Sequence, residues 1–410
     1  MRTIHADHLL LGDAPPLADG AVVVRGDGTV VHVGEARDVL VHPDYARLST
    51  ERVHGVVFPG LVNAHTHLEL SALRGRVPGG RGFVPWVEGL IAVRTELSSE
   101  EEDEAIEAAV RELEATGTVA VGEVTNTLAA VRALVRARIG GCIFHEVFGT
   151  DPARVEARLR GLEADVKERV GTWPTPDLTY AIAPHTLFTL DRTFARAFVE
   201  EARSRGVRTS LHLAEHPGER RALEAGEGPV VEWLSRQLRI DAKSLPWPMM
   251  GPIATADSLG ALAPHVLLVH LTDARPEELA LVAERGAPVV LCPRSNLAIE
   301  AQLPPLLAIL AAGLAPALGT DSLASNASLD VLAEARALHD RFPKVPAWEL
   351  LRMATWNGAR ALGRAGLGAI AEGLRPGLVA VDGVVEGDPC AWLLGNLKRP
   401  RRFVAARRAP

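Results

Sequence analysis

The stretch "PGLVNAHTHLEL", Pro59 to Leu70, carries two histidines at the end of a short apolar run, His65 and His67. With 14 histidines in 410 residues, an H-x-H arises by chance about half the time, so the pair means little alone. Its meaning depends on what surrounds it. If the run before it is a strand, alternate residues share a face and both rings point the same way.

Seven more apolar runs follow: 118–124, 139–149, 178–186, 208–215, 265–271, 287–295 and 314–322. Amphipathic segments separate them, such as 99–117 and 190–206, each ending in glycine as helices often do. Eight strands alternating with helices predict an α/β fold, a (β/α)8 TIM-type barrel. The Pro- and Trp-rich insertion around "SLPWPMMGP" is expected at the barrel mouth.

Before the barrel, "AVVVRGDGTVVHVG" (21–34) predicts a hairpin turning at Asp27-Gly28. After it, "LRPGLVAVDGVVEGDP" returns to β character. Both chain ends are therefore expected to build one small β-sandwich module. The expected domains are 1–57 (β module), 58–371 (barrel) and 372–410 (β module and basic tail), with the tail "LKRPRRFVAARRAP" read as a solvated terminus.

Composition excludes several classes. The net charge of −7 argues against nucleic-acid binding. No run of about 18 apolar residues predicts a membrane span, and the N-terminus lacks the apolar core of a signal peptide. Cys142, Cys292 and Cys390 are far apart, which disfavours a disulfide framework and suits a cytoplasmic protein.

Polar residues gather at the C-terminal ends of the predicted strands, where barrel enzymes keep their chemistry. Strand 1 ends in His65 and His67, strand 4 in His185, strand 5 in His212, strand 6 in His270 and strand 8 in Asp321. Five of the nine histidines from residue 65 onward fall on these tips. Asp321 alone could cap the next helix, but barrel closure brings all the tips together. Three imidazoles and one carboxylate suit Zn or ferrous iron. None of the four lysines, Lys167, Lys243, Lys344 and Lys398, ends a middle strand, so the expected site holds one metal rather than a carbamate-bridged pair. Glu215 follows His212 by three residues. It could move protons to and from an activated water, or simply be an acid at a helix N-terminus.

"PGLVNAHTHLELSALRG", "HLAE", "LVHL", "CPRSN" and "GTDSLASN" together resemble the amidohydrolase superfamily, in its branch of mononuclear aromatic deaminases and chlorohydrolases. Within that branch the chain looks most like bacterial aminodeoxyfutalosine deaminases, which act on an adenine-bearing intermediate of menaquinone synthesis. The resemblance implies His65, His67, His212 and Asp321 as metal ligands, Glu215 as proton shuttle and His270 as the residue orienting water. It implies substrate contacts from His185, Arg74 and Trp86. Trp86 could instead pack a loop. Arg74 and Arg294 are candidate clamps for a substrate carboxylate; a salt bridge is the alternative for Arg294. Where many relatives have S-P-H-A-P-Y, this chain has "APHTLFTL", with Phe188 near the aromatic's place.

The expected function is hydrolytic deamination of a 6-aminopurine nucleoside such as aminodeoxyfutalosine. The alternatives are another amidohydrolase reaction (guanine, cytosine or pterin deamination, chlorohydrolysis, amide or imide hydrolysis) or a non-catalytic scaffold. A small-molecule substrate is expected, with a homodimer left open.

Overall fold

A computed structural model describes residues 1–170 and 173–406; the side chains of 163–165, 167–170 and 244 are outside that description. The first strands are β1 (Arg2–Leu9), β2 (Leu17–Val24), β3 (Val30–Glu35) and β4 (Thr50–Phe58). The Asp27-Gly28 hairpin forms as expected. Arg25 N–H donates to the Thr29 carbonyl at 2.9 Å, and Gly28 takes φ +85°, a left-handed conformation that costs glycine nothing.

The eight apolar runs become β5 (Leu61–His67), β6 (Thr118–Thr125), β7 (Gly140–Val147), β8 (Leu178–Pro184), β9 (Thr209–Leu213), β10 (Val266–His270), β11 (Val289–Leu291) and a broken last strand, β12 (Ala317–Leu318) with β13 (Asp321–Ser322). β14 (Val379–Asp382) and β15 (Arg402–Phe403) close the chain.

These strands form three hydrogen-bonded sheets among the described residues. Two are wholly parallel, in the orders β13-β5-β6-β7-β8 and β12-β11-β10-β9. β12 runs into β13 through Gly319-Thr320, and β13 pairs with β5, Asp321 opposite Thr66. At the other junction the His212 N–H donates to the His185 carbonyl at 3.1 Å. β5, β6 and β7 bury every residue but His67, the pattern of parallel strands covered on both faces.

The third sheet has the order β15-β14-β4-β1-β2-β3, so strands from both chain ends share one sheet. Among the described residues it is one six-stranded sheet, without a facing partner sheet. Its own apolar cluster includes Ile4, Val22, Val53, Val57, Leu378 and Val404.

Helices pack against the parallel sheets. Ser98 caps the helix Ser99–Ala115 reciprocally with Glu101, satisfying two otherwise unpaired N–H groups. The helix Arg192–Ser204 starts at Asp191, and Gly206 follows it with φ +63°.

One expectation needs correction. The tail does not run free: Arg401 is buried against Asp330, and β15 pairs with β14. Residues 407–410 are outside the described structure. The insertion at Leu245–Pro248 lines a pocket with Thr150 and Phe188, residues of the loops that follow β7 and β8. The three cysteines are free and buried. No helix among the described residues is long and apolar enough to cross a membrane.

Candidate metal centre and substrate cavity

The strand tips converge on one cavity. β5 delivers His65 and His67, two residues apart on one face. β9 delivers His212, and Ala214 then turns left-handed at φ +50°, so that Glu215 lines the same cavity. His270 at the end of β10 has φ +80°, and Asp321 at the start of β13 has φ +55°. Left-handed backbone at non-glycine residues is strained, and such strain collects at functional sites.

Nε2 of His67 is 3.3 Å from Nε2 of His212 and 3.6 Å from Asp321 Oδ1. Nε2 of His65 is 3.8 Å from the same oxygen. These separations match the edges of a tetrahedron whose corners lie about 2.1 Å from its centre, the Zn–N and Zn–O distance. His65 is fully buried, and neither ring nitrogen has a hydrogen-bond partner. An orphaned buried imidazole is costly unless something accepts its lone pair. Nδ1 of His212 lies 3.1 Å from the His185 carbonyl. That acceptor fixes the proton on Nδ1 and leaves Nε2 free to ligate. The donor set therefore fits one divalent transition metal.

The electrostatics agree. Burial, then the neighbouring imidazoles His67, His212 and His270, push His65 well below its ordinary pKa. Burial also takes His212 down to about 3 and His270 to about 4. Neutral rings are the ligating form. Burial would raise Asp321, but His67, His270 and the Ser295 hydroxyl outweigh it and hold the carboxylate below its usual range. Glu215 behaves oppositely. Burial, then Asp321, Glu219 and Glu300, raise its carboxyl well above the usual range. It keeps its proton past the pH at which a free glutamate ionises.

Glu215 Oε1 lies 3.6 Å from His270 Nε2, and the Asn296 amide holds the other side of that ring, 3.2 Å from Nδ1. Ser295 Oγ donates to Asp321 Oδ2 at 2.5 Å. Asn296 and Ser295 belong to "CPRSN", in which the sequence had assigned a role to Arg294 alone.

His185 and Trp86 line the cavity, Trp86 Nε1 donating to the Ala324 carbonyl at 3.4 Å. Arg74 does not line it. Its guanidinium pairs with Glu112 and donates to the Ala327 carbonyl at 3.1 Å. Arg294 is also committed elsewhere, to Ser328 at 3.0 Å and Glu334 at 3.6 Å. Phe188 lies behind the wall, edge-on to Phe83 at 6.1 Å.

Sequence reasoning missed other lining groups: Arg94, 3.5 Å from Glu69, and Glu146, Phe148 and Trp233. Arg94 lies in the helix Phe83–Arg94, eight residues beyond Trp86, a regular spacing that could have drawn attention to it. Glu146, next to last in β7, had the same tip position as the chosen histidines. The central cavity has a volume of about 160 Å³, and an adjoining chamber of about 470 Å³ shares Asn126, Glu146 and Phe148 with it.

Comparison with known proteins agrees with this geometry. The model of the amidohydrolase family matches residues 56–406. The chain is 31% identical over 352 residues to an aminodeoxyfutalosine deaminase of Deinococcus radiodurans, covering 83% of this chain and 82% of that one. It is 29% identical over 376 residues to a 5-methylthioadenosine/S-adenosylhomocysteine deaminase of Nitratidesulfovibrio vulgaris, covering 89% and 79%. The crystal structure of Helicobacter pylori aminofutalosine deaminase in complex with methylthio-coformycin superposes with a TM-score of 0.87 over the whole of both chains, at 24% identity.

Proposed function

The chain belongs to the amidohydrolase family, and on that premise we propose that it hydrolytically deaminates a 6-aminopurine nucleoside, with aminodeoxyfutalosine as the favoured substrate. One observation carries the reading. Glu215 Oε1 stands 3.6 Å from His270 Nε2, beside the buried cluster of His65, His67, His212 and Asp321, in a cavity walled by Trp86 and Phe83.

In this reading His65, His67, His212 and Asp321 hold one Zn or ferrous iron ion. A bound ion of that kind supplies an acidified water, with a pKa brought towards about 7. The aromatic walls hold the purine flat. Glu215 gives its proton to a ring nitrogen, which makes the amine-bearing carbon electrophilic. His270 and Asp321 orient the attacking water and take part in its deprotonation. The water's oxygen would bond to the carbon, one of its protons would pass through Glu215 to the amine, and its second proton would restore the Glu215 carboxyl as the ring carbonyl forms. The C–N bond breaks, and the products are the ring ketone and ammonia.

The wider architecture follows from the same reading. We take the two parallel sheets as the wall of one closed eight-stranded barrel, spanning 58–371, with 1–57 and 372–410 forming the β module. The adjoining chamber suits a nucleoside with a sizeable substituent beyond its sugar. The Nitratidesulfovibrio vulgaris relative supports a second reading, the same chemistry on 5-methylthioadenosine or S-adenosylhomocysteine.

The test is ammonia release from aminodeoxyfutalosine, 5-methylthioadenosine, S-adenosylhomocysteine and guanine. Aminodeoxyfutalosine should give the highest kcat/KM; a clear preference for another ring sinks the substrate assignment. Glu215→Gln should lower kcat by at least about 100-fold while bound metal stays at the wild-type level. Loss of the metal in that variant would make Glu215 a ligand instead.

A further inference from the structure

Glu146 has no role in the chemistry above, yet it is built into the cavity wall. It is 7% exposed, and its Oε1 has no hydrogen-bond partner. Its other oxygen accepts from Asn126 Nδ2 at 3.2 Å, which holds the carboxyl in place. A buried acceptor left open in a native site calls for an explanation.

The facing group is His185. Its Nε2 lies 3.9 Å from Glu146 Oε1. The protonation of that ring follows from its other side. Backbone N–H groups of Phe188 and Thr189 donate to Thr186 Oγ1, at 3.4 and 3.1 Å. With its lone pairs engaged, the Thr186 hydroxyl donates to Thr189 Oγ1 at 2.7 Å, and Thr189 in turn donates to His185 Nδ1 at 2.7 Å. An acceptor at Nδ1 leaves the proton on Nε2.

The cavity wall thus presents one donor and one acceptor 3.9 Å apart. A single atom within hydrogen-bond reach of both must accept and donate at once. A carbonyl satisfies only His185, and an ammonium satisfies only Glu146. A hydroxyl oxygen satisfies both.

We propose that Glu146 and His185 form a hydroxyl-reading pair that selects substrates carrying a ribose-type alcohol. The assignment rests on the nucleoside reading of the site and adds a specificity residue to it. Its position suits a sugar: Glu146 borders both the central cavity and the adjoining chamber, between the ring and any remote substituent.

The rival role for Glu146 is support of His212, whose Nδ1 is 3.5 Å from Oε1. The two roles separate experimentally. Ammonia release is measured with the metal-loaded enzyme on adenosine and 5-methylthioadenosine and on their 2′-deoxy and 3′-deoxy forms. The wild type should favour the ribonucleoside over at least one deoxy form by roughly 10- to 100-fold in kcat/KM. Glu146→Ala should shrink that ratio to about threefold or less, with metal content unchanged. Glu146→Gln, which keeps the shape but loses the charge-assisted bond, should give an intermediate ratio if the alanine variant does not fold. An unchanged ratio with equal loss on all substrates, or loss of metal, overturns the proposal in favour of His212 support. Equal wild-type rates on ribo and deoxy forms overturn the hydroxyl pair alone. No ammonia from any of these nucleosides overturns the nucleoside reading and the pair with it.

Discussion

Asp321 has its two oxygens held by different groups. Oδ1 accepts the Ser322 N–H at 2.8 Å, while Oδ2 accepts Ser295 Oγ at 2.5 Å and Ser325 Oγ at 3.3 Å. One carboxylate is thus oriented by three partners before any ligand arrives, as ligating carboxylates commonly are. A different buried carboxyl, Glu334, is engaged at the same end of the molecule. It accepts from Arg294 N and Asn326 Nδ2, both at 2.8 Å, yet burial still raises it from 4.5 to about 7. The stability consequence has a definite sign. Below about pH 4.5 folded and unfolded chains both carry this proton, and between there and about 7 only the folded chain does. Stability should therefore fall as pH rises across that window, by a total on the order of 3 kcal/mol for this group. Glu219, also at about 7 through burial, acts in the same direction. Denaturant midpoints at pH 4.5 and 7.5 test this by comparison with wild type: over that interval Glu334→Gln should lose about 3 kcal/mol less stability than the wild type does, and an identical pH dependence in the two proteins would refute the assignment. At this scale the histidines and Asp321 were legible because a strand tip fixes where a side chain points. Arg74 and Arg294 were not, because a long loop or helix-start side chain goes where its partner is. Glu112 and Glu334 lie 38 and 40 residues away in sequence.

At the level of the element, β12 and β13 decide how closely the last strand approaches the first. Gly319 sits between them, and a Cβ there would stand 2.6 Å from His65 Cβ and 2.8 Å from the His65 carbonyl oxygen. Two of its three close neighbours are backbone atoms, which cannot swing aside. Gly319→Ala should therefore push β5 and its His65 outward, costing about 1–3 kcal/mol and lowering bound metal per folded chain. Wild-type metal content in a folded Gly319→Ala variant would show that the strand yields elsewhere. The eight wall strands were readable from apolar runs of strand length between helical segments. The break in the last one was not, because "LAPALGTDS" reads as one continuous run. Only contact with β5 explains why the pairing changes partner at Gly319-Thr320. Ahead of His65, Pro59-Gly60 separates β4 from β5, with the Gly60 N–H donating to the Pro376 carbonyl at 3.0 Å.

For the whole molecule, the question is what fastens the chain ends to the strands that carry the site. Charge counting took the C-terminal segment for a solvated basic tail. Among the described residues its arginines, Arg399, Arg401 and Arg402, serve as fasteners, because a long cation can be held where carboxylates and carbonyls await it. Arg401 is the clearest case, with a side chain 3% exposed. Its guanidinium donates to both oxygens of Asp330 and to the Thr116 carbonyl, each at 2.7 Å. Asp330 in turn caps the helix Val331–Arg341, and Thr116 ends the helix before β6. One side chain thus ties the end of the β module to two helices that flank the parallel sheets. Removing one partner of a buried ion pair leaves the other charge uncompensated, typically at a cost of 3–5 kcal/mol. Arg401→Ala should therefore lower unfolding stability by about 3 kcal/mol, with a matching fall in denaturant midpoint. None of the cavity-lining groups touches Arg401, so kcat/KM per folded molecule should stay at the wild-type value. The companion variant Arg401→Ala/Asp330→Asn removes the stranded charge and should recover part of the loss. If Arg401→Ala instead leaves stability unchanged, the chain end is held by the β14–β15 pairing and its apolar cluster alone. If it lowers kcat/KM at full folding, the β module shapes the strand tips from a distance.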